Sequence, residues 1–228
     1  KYNMTTTEIK IIAKLTSLIN KDDDDFKEYV FISKNLLDEL NLGKENYTAL
    51  EESINKLISR RIEIEQENKK KKLVTTFLSS CMYDNTENES KVILRYDPQL
   101  KPYFLQLGEH FTKYYLENVL ELNSFYAIRI YELCKQYERL RERVIQVEIL
   151  KEILEIEEKY KKYNDFKKKV LEIAKREINE KTDITISFEE IKTGRKVTAI
   201  MFLISAKKEN KSIKNKTEIE LKKKKKEY

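Results

Sequence analysis

The sequence predicts an α+β fold built from two tandem winged-helix (winged helix-turn-helix) domains. Three observations predict it. Residues 163–179 form one amphipathic stretch with an apolar arc on one side and a basic arc on the other. A hairpin pattern follows, with Gly194-Arg195-Lys196 at its turn. The first half of the chain repeats the order helix, short helix, longer helix, then two strands around a basic turn, here Lys69 to Lys72. Residue identity between the halves is low, so the repeat is architectural. A basic helix beside a basic β-wing suits a double helix, and double-stranded DNA is the expected partner.

The elements can be justified in order. Ile9, Ile12, Leu15 and Ile19 fall at helical spacing and predict a helix over 6–20. Asp22 to Asp25 form an acidic loop. Ser33 is placed to cap a helix reaching Leu40, ended by Asn41 and Gly43. Asn46 is placed to cap the next, which carries Leu50, Ile54, Leu57 and Ile58. Residues 61–66 alternate with period two and predict a half-buried strand. Lys69 to Lys72 make a turn, 73–83 and 92–96 read as further strands, Pro98 and Pro102 punctuate, and 110–116 reads as extended.

A second unit is expected from Asn123. Tyr126, Ile130, Leu133 and Tyr137 stripe a helix over 124–137. Residues 144–147 predict a short strand and 148–154 a short helix. The basic helix covers about 164–180, and 183–191 with 196–204 form the hairpin. The expected domains are 1–118 (accessory DNA contact and dimerisation) and 119–206 (the main DNA-binding unit). Residues 207–228 form a lysine-rich tail expected to be disordered.

Charge supports a nucleic-acid partner only locally. Residues 207–228 hold ten lysines and four glutamates, the whole formal charge of +6, while residues 1–206 balance at 36 basic and 36 acidic side chains. Cys81 and Cys134 are far apart, which fits a reducing compartment and no disulfide framework. His110 is the single histidine, which argues against a His-based triad or zinc site. The longest apolar run, 199–204, is too short to span a membrane. No signal peptide is visible, and a cytoplasmic location is expected.

The basic helix carries the candidate site. Stepping 100° per residue from Phe166 places Val170, Leu171, Ile173, Ala174 and Ile178 within one arc. Lys168, Lys169, Glu172, Lys175, Arg176 and Asn179 fall opposite. Residues 161–181 hold eight basic and four acidic side chains, whereas an ordinary solvated helix mixes the signs. Lys and Arg neutralise the phosphates that wall a major groove, and Arg and Asn can pair with base edges. Arg195 and Lys196 extend this surface onto the wing. In the first unit the corresponding helix presents Tyr47, Thr48, Glu51, Glu52, Asn55 and Lys56, which is polar but hardly basic. Arg60, Arg61, Lys70 and Lys71 supply positive charge nearby, although a solubilising loop explains Lys69 to Lys72 equally well.

Four segments together resemble the iteron-binding plasmid replication initiators, the tandem winged-helix initiators of theta-replicating plasmids. They are Ser124-Phe-Tyr-Ala-Ile-Arg-Ile-Tyr-Glu-Leu-Cys-Lys-Gln-Tyr137, Phe166-Lys-Lys-Lys-Val-Leu-Glu172, Lys175-Arg-Glu-Ile-Asn-Glu-Lys-Thr-Asp-Ile184 and Gly194-Arg-Lys-Val197. Their order and spacing fit across about residues 5–205. The resemblance implies a second domain that docks its long helix on a repeated origin sequence through Lys168, Lys169, Lys175 and Arg176, with the wing at Arg195 and Lys196. It implies a first domain that touches adjacent DNA and mediates dimerisation. It further implies initiation as a monomer, autorepression at the protein's own promoter as a dimer, and recruitment of the host initiator and replicative helicase. Tyr126 and Tyr131 are expected to pack, and Arg129 to reach a phosphate or a carboxylate.

No catalytic constellation or cofactor motif appears, so no enzyme is expected. A glycine-rich phosphate loop is absent. The acidic run 22–25 lacks the hydrophobic strand that frames a nuclease metal site. Tyr114 and Tyr115 raise a relaxase reading, but one histidine cannot supply its metal cluster; packing at a domain junction is the simpler expectation. Two alternatives to the initiator remain: a winged-helix transcriptional repressor without an initiation role, and a protein-interaction module using Lys/Glu helices.

Overall fold

The computed structural model describes residues 4–20, 22–43, 46–65, 71–86, 89–105 and 115–207. Their cores form two clusters. One gathers Ile11, Leu15, Leu36, Leu37, Leu50, Ile54, Leu57, Val92, Leu94 and Tyr96. The other gathers Ala127, Ile130, Tyr131, Leu150, Phe166, Val170, Ala174, Ile178, Ile200 and Phe202. Each gathers the inward positions of helices and of a three-stranded sheet, the arrangement that lets a small α+β unit bury one face of every element.

The first unit opens with α1 (Thr6–Ser17). Thr5 accepts from the Glu8 amide and Glu8 reaches back to the Thr5 amide, a reciprocal cap. Then come β1 (Tyr29–Ile32), α2 (Ser33–Glu39) and α3 (Tyr47–Ser59). Ser33 does not cap α2: it is the first helical residue, and its amide donates to the Ser90 carbonyl at 2.8 Å. Asn46 is at the N-cap of α3 but its amide side chain turns back to the Leu42 carbonyl instead.

The strands correct the sequence reading. β2 (Ile62–Glu65) and β3 (Lys72–Thr75) form an isolated two-stranded ribbon, whereas β4 (Leu78–Asp84) and β5 (Lys91–Tyr96) join β1 in a sheet ordered β1-β5-β4. The expected single strand over 73–83 is thus two strands in different sheets. The wing of the first unit is β4–β5, and the lysine-flanked ribbon is an addition. Expected extended structure at 110–116 falls largely outside the described residues; α4 (Lys101–Phe104) and α5 (Leu116–Glu121) flank that stretch.

The second unit runs α6 (Phe125–Lys135), β6 (Glu142–Gln146), α7 (Val147–Ile153), a long helix, β7 (Ile184–Thr193) and β8 (Lys196–Ala206). Its sheet is ordered β6-β8-β7, the arrangement of β1-β5-β4. Both units therefore carry a helix, a strand, two helices and a hairpin whose last strand pairs with the first. Tyr131 packs fully buried, as expected, and Arg129 finds a carboxylate, Glu132, at 2.6 Å. α1 and α5 lie at the junction: Ile11 and Leu15 belong to the first core while Ile9 and Ala13 pack on the second, and Leu120 faces the first core while Val119 and Leu122 face the second.

Candidate nucleic-acid interface

The long helix is α8 (Tyr163–Phe166), a π-helical turn (Lys167–Leu171) and α9 (Glu172–Lys181), continuous in backbone. Phe166, Val170, Leu171, Ala174 and Ile178 are buried along one side. The π turn inserts the three lysines 167–169 where the helix is widened, a geometry frequent at functional sites. Thr182 ends the helix, its hydroxyl donating to the Ile178 carbonyl at 2.9 Å.

Polar contacts lock this helix onto β7. The Lys167 ammonium lies 2.8 Å from Glu190, which also accepts from the Tyr163 hydroxyl at 3.1 Å. The Lys167 hydrogen bond, with that of Tyr163, holds Glu190 below the usual carboxylate range, while burial and then Glu190 push the Tyr163 phenol up. The ammonium groups of Lys167 and Lys175 lie 6.0 and 5.8 Å from the centroid of the Phe188 ring.

Asn179 corrects the sequence reading. It belongs to this locking set and not to an exposed face: its amide group donates to the Ile186 carbonyl at 2.9 Å and accepts from the Ile186 amide at 2.6 Å. Both functional ends are bonded to β7, which holds the amide along the strand.

The remaining predicted residues come together on one side. Lys168, Lys169, Glu172 and Arg176 are exposed. Among the described residues, Lys168, Lys169 and Arg176 take part in no ion pair. Lys175 is half-buried against Phe188. On the wing, Thr193 pairs with Lys196, leaving Gly194 and Arg195 as a two-residue turn. Gly194 has φ +61°, which glycine adopts without strain and which a two-residue hairpin of this kind requires first in the turn. Arg195 is exposed; Lys196 is exposed too but lies 3.1 Å from Glu148, and its hydrogen bond holds that carboxyl low.

Three further lysines, not singled out from the sequence, adjoin this face. Lys159, Lys161 and Lys162 are exposed just before α8, and Lys162 occupies its N-cap. Free N–H groups and the positive end of a helix favour an anion there. The signal was legible, because Lys161 and Lys162 fall in the same basic window.

The first unit offers less. Arg61 is exposed but sits 2.8 Å from Glu63, and Lys71 is exposed; Lys70 lies outside the described residues, as do His110, Tyr114 and the tail 208–228. Arg60 turns inward, its Nη2 lying 3.0 and 2.8 Å from the two oxygens of fully buried Glu8. Tyr115 is 63% exposed rather than packed. Among the described residues no group of three or more His, Cys, Asp or Glu is placed to hold a metal, and no helix is long and apolar enough to cross a membrane.

Similarity to known proteins follows the same architecture. The family described as Initiator Replication protein, WH1 matches residues 1–135, and that described as Initiator Rep protein, WH2 matches residues 146–204. A replication initiation protein of Escherichia coli is 26% identical over 216 residues, covering 90% of this chain; the chain spans 66% of that relative's length. Among solved structures, the Pi initiator protein in complex with iteron DNA matches with a TM-score of 0.77 at 20% identity, over 91% of this chain and 93% of that one. Domains 2 and 3 of RctB match with a TM-score of 0.52 at 14% identity, over 90% and 84% of the two chains. At such identities the two structures speak for the fold, two winged helices in tandem.

Proposed function

The chain belongs to the family of initiator replication proteins, and on that premise we propose that it initiates plasmid replication by binding repeated sequences at an origin. The observation that carries the reading is the exposed row Lys168, Lys169 and Arg176, without ion pairs among the described residues, on a helix whose other sides are buried or bonded to β7. A surface helix kept only for solubility gains from balancing its charges at helical spacing. Here three exposed cations share their face with the single carboxylate of Glu172 and adjoin a basic turn, and a phosphate-lined groove supplies the charge that one glutamate does not.

In this reading α8–α9 enters the major groove, with Arg176 the best placed to reach a base edge. Lys168, Lys169 and the lysines before α8 meet phosphates, and Arg195 and Lys196 follow the backbone from the wing. The complex of the Pi initiator protein with iteron DNA supports double-stranded repeats as the ligand. The first unit contributes through α3, Arg61 and Lys71 and binds more weakly. The role is binding and recruitment, without catalysis by this chain. We extend the proposal to a monomer–dimer equilibrium, autorepression at its own promoter and contact with a host initiator and helicase.

Duplexes enriched by the protein from a random-sequence library test the reading. Initiation predicts that the enriched motif recurs as direct repeats beside an AT-rich stretch in the flanking plasmid DNA. A single promoter palindrome would instead identify a repressor. A protein enriching no duplex, with affinity insensitive to salt, would defeat both.

A further inference from the structure

Residues 120–124, the end of α5 and its connection to α6, are held from two directions. From the first unit, Lys10 on α1 donates to the carbonyls of Leu120 and of Leu40, the latter at 3.4 Å. Asn41 donates to the Leu120 carbonyl at 3.4 Å and to Glu121 at 3.2 Å, and the Thr6 hydroxyl to the Asn123 carbonyl at 3.3 Å. From the basic helix, Glu177 accepts the amides of Asn123 and Ser124 at 2.8 and 3.2 Å, and Lys181 donates to the Glu121 carbonyl at 3.2 Å. Glu177 is the neighbour of Arg176, rotated about 100° around the helix axis. One side chain faces solvent while the next grips the joint.

Ordinary capping does not require this arrangement. Ser124 already caps α6 through the Ala127 amide. Lys10 is only 2% exposed, and burying an ammonium is costly unless its hydrogen bonds are satisfied, here by the Leu120 and Leu40 carbonyls. Glu121, Lys181 and Glu177 are the charged groups that act on it. A second chain of contacts runs parallel. Asn118 on α5 donates to the Tyr131 hydroxyl at 3.0 Å, which donates to Asp183 at 2.9 Å, just past the end of α9.

We propose that Lys10, Glu177 and Lys181 are positioning residues that clamp the α5–α6 joint and so fix the separation and rotation between the two winged helices, setting the length of DNA site that both can occupy at once. The specificity part rests on the DNA-binding reading above; the clamp itself does not. Lys10→Met keeps the length of the side chain but removes the donor that the Leu120 and Leu40 carbonyls share, so it releases the joint at a cost in stability. Glu177→Gln keeps a carbonyl oxygen for the two amides, whereas Glu177→Ala does not.

The test uses the full chain with Cys81→Ser and spin labels on cysteines at exposed positions 34 and 152, in α2 and α7, read by pulsed electron paramagnetic resonance. The parent and Glu177→Gln should give one narrow distance; Lys10→Met and Glu177→Ala should broaden it while each still unfolds cooperatively on heating. The second readout is a duplex enriched by the wild-type chain, with five base pairs, about half a turn, inserted between the stretches covered by each unit. Wild type should lose roughly tenfold or more in affinity, about 1.4 kcal/mol, and Lys10→Met distinctly less. A narrow, unshifted distance in both Lys10→Met and Glu177→Ala overturns the clamp, as does Glu177→Gln behaving like Glu177→Ala. If Glu177→Ala does not fold, Lys10→Met alone decides. If wild type enriches no duplex, the DNA reading fails while the distance measurement still judges the clamp.

Discussion

Replacing Lys168, Lys169 and Arg176 together by alanine removes three exposed cations that hold no ion pair among the described residues. A cation that neutralises one phosphate releases condensed counterions, so each lost contact flattens the slope of log K against log salt by about 0.9, and three by about 2.7. Between roughly 50 and 200 mM salt, each contact then accounts for about a 3.5-fold change in affinity, and the set for about 40-fold. Lys196 supplies the internal control. It lies 3.1 Å from Glu148, so its charge is partly compensated before DNA arrives, and Lys196→Ala should flatten the slope by well under 0.9. Fluorescence anisotropy of a labelled enriched duplex, titrated at several salt concentrations, measures both. A triple variant whose line runs parallel to wild type would refute the assignment of the helix face. So would Lys196→Ala flattening the slope as much as the triple variant.

Other outcomes follow from the same geometry. Asn179→Ala should cost roughly 1–3 kcal/mol of unfolding free energy, because it strands the Ile186 amide and carbonyl. Affinity of its folded fraction for DNA should stay unchanged, and a loss of affinity at full stability would return Asn179 to the interface. Burial pushes the Cys134 thiol up to about 12, above its unfolded value. That contribution is complete below the ordinary thiol range and drains away as pH rises toward about 12. Denaturant midpoints should therefore fall more steeply above about pH 9 in wild type than in Cys134→Ala; identical slopes would show that the thiol does not resist ionisation. Removing residues 208–228 should lower affinity for random DNA and keep the fold, because Lys207, which donates to the Asn179 and Thr182 carbonyls at 2.6 and 2.7 Å, is retained. Unchanged affinity for random DNA would exclude the tail from binding.

Much of the second unit was legible because its signals are local. Phe166, Val170, Leu171, Ala174 and Ile178 announce a buried arc by spacing alone, and Gly194 marks a turn that demands positive φ. The first unit was harder because its decisive pairings are distant. β1 is four residues long, and its partner β5 lies about sixty residues away, so neither length nor alternation reveals it. The run 73–83 reads as one strand since its break at Thr76 and Phe77 carries no glycine or proline; the Thr76 hydroxyl donates to the Leu78 carbonyl and redirects the chain. Helical spacing put Asn179 on the polar side correctly. It could not show that the strand next in sequence folds back onto that side and uses the amide. Arg60 is a similar case, drawn inward by Glu8 from the other end of the unit.

In the proposed complex the exposed side of α8–α9, with its adjoining wing, lies against duplex DNA. Ultraviolet cross-linking to an enriched duplex carrying 5-bromodeoxyuridine, read by peptide mass spectrometry, addresses it directly. Cross-linked peptides should map to residues 159–176 and 192–197. Cross-links confined to the opposite side of the second unit, around α6 and β6, would contradict the account.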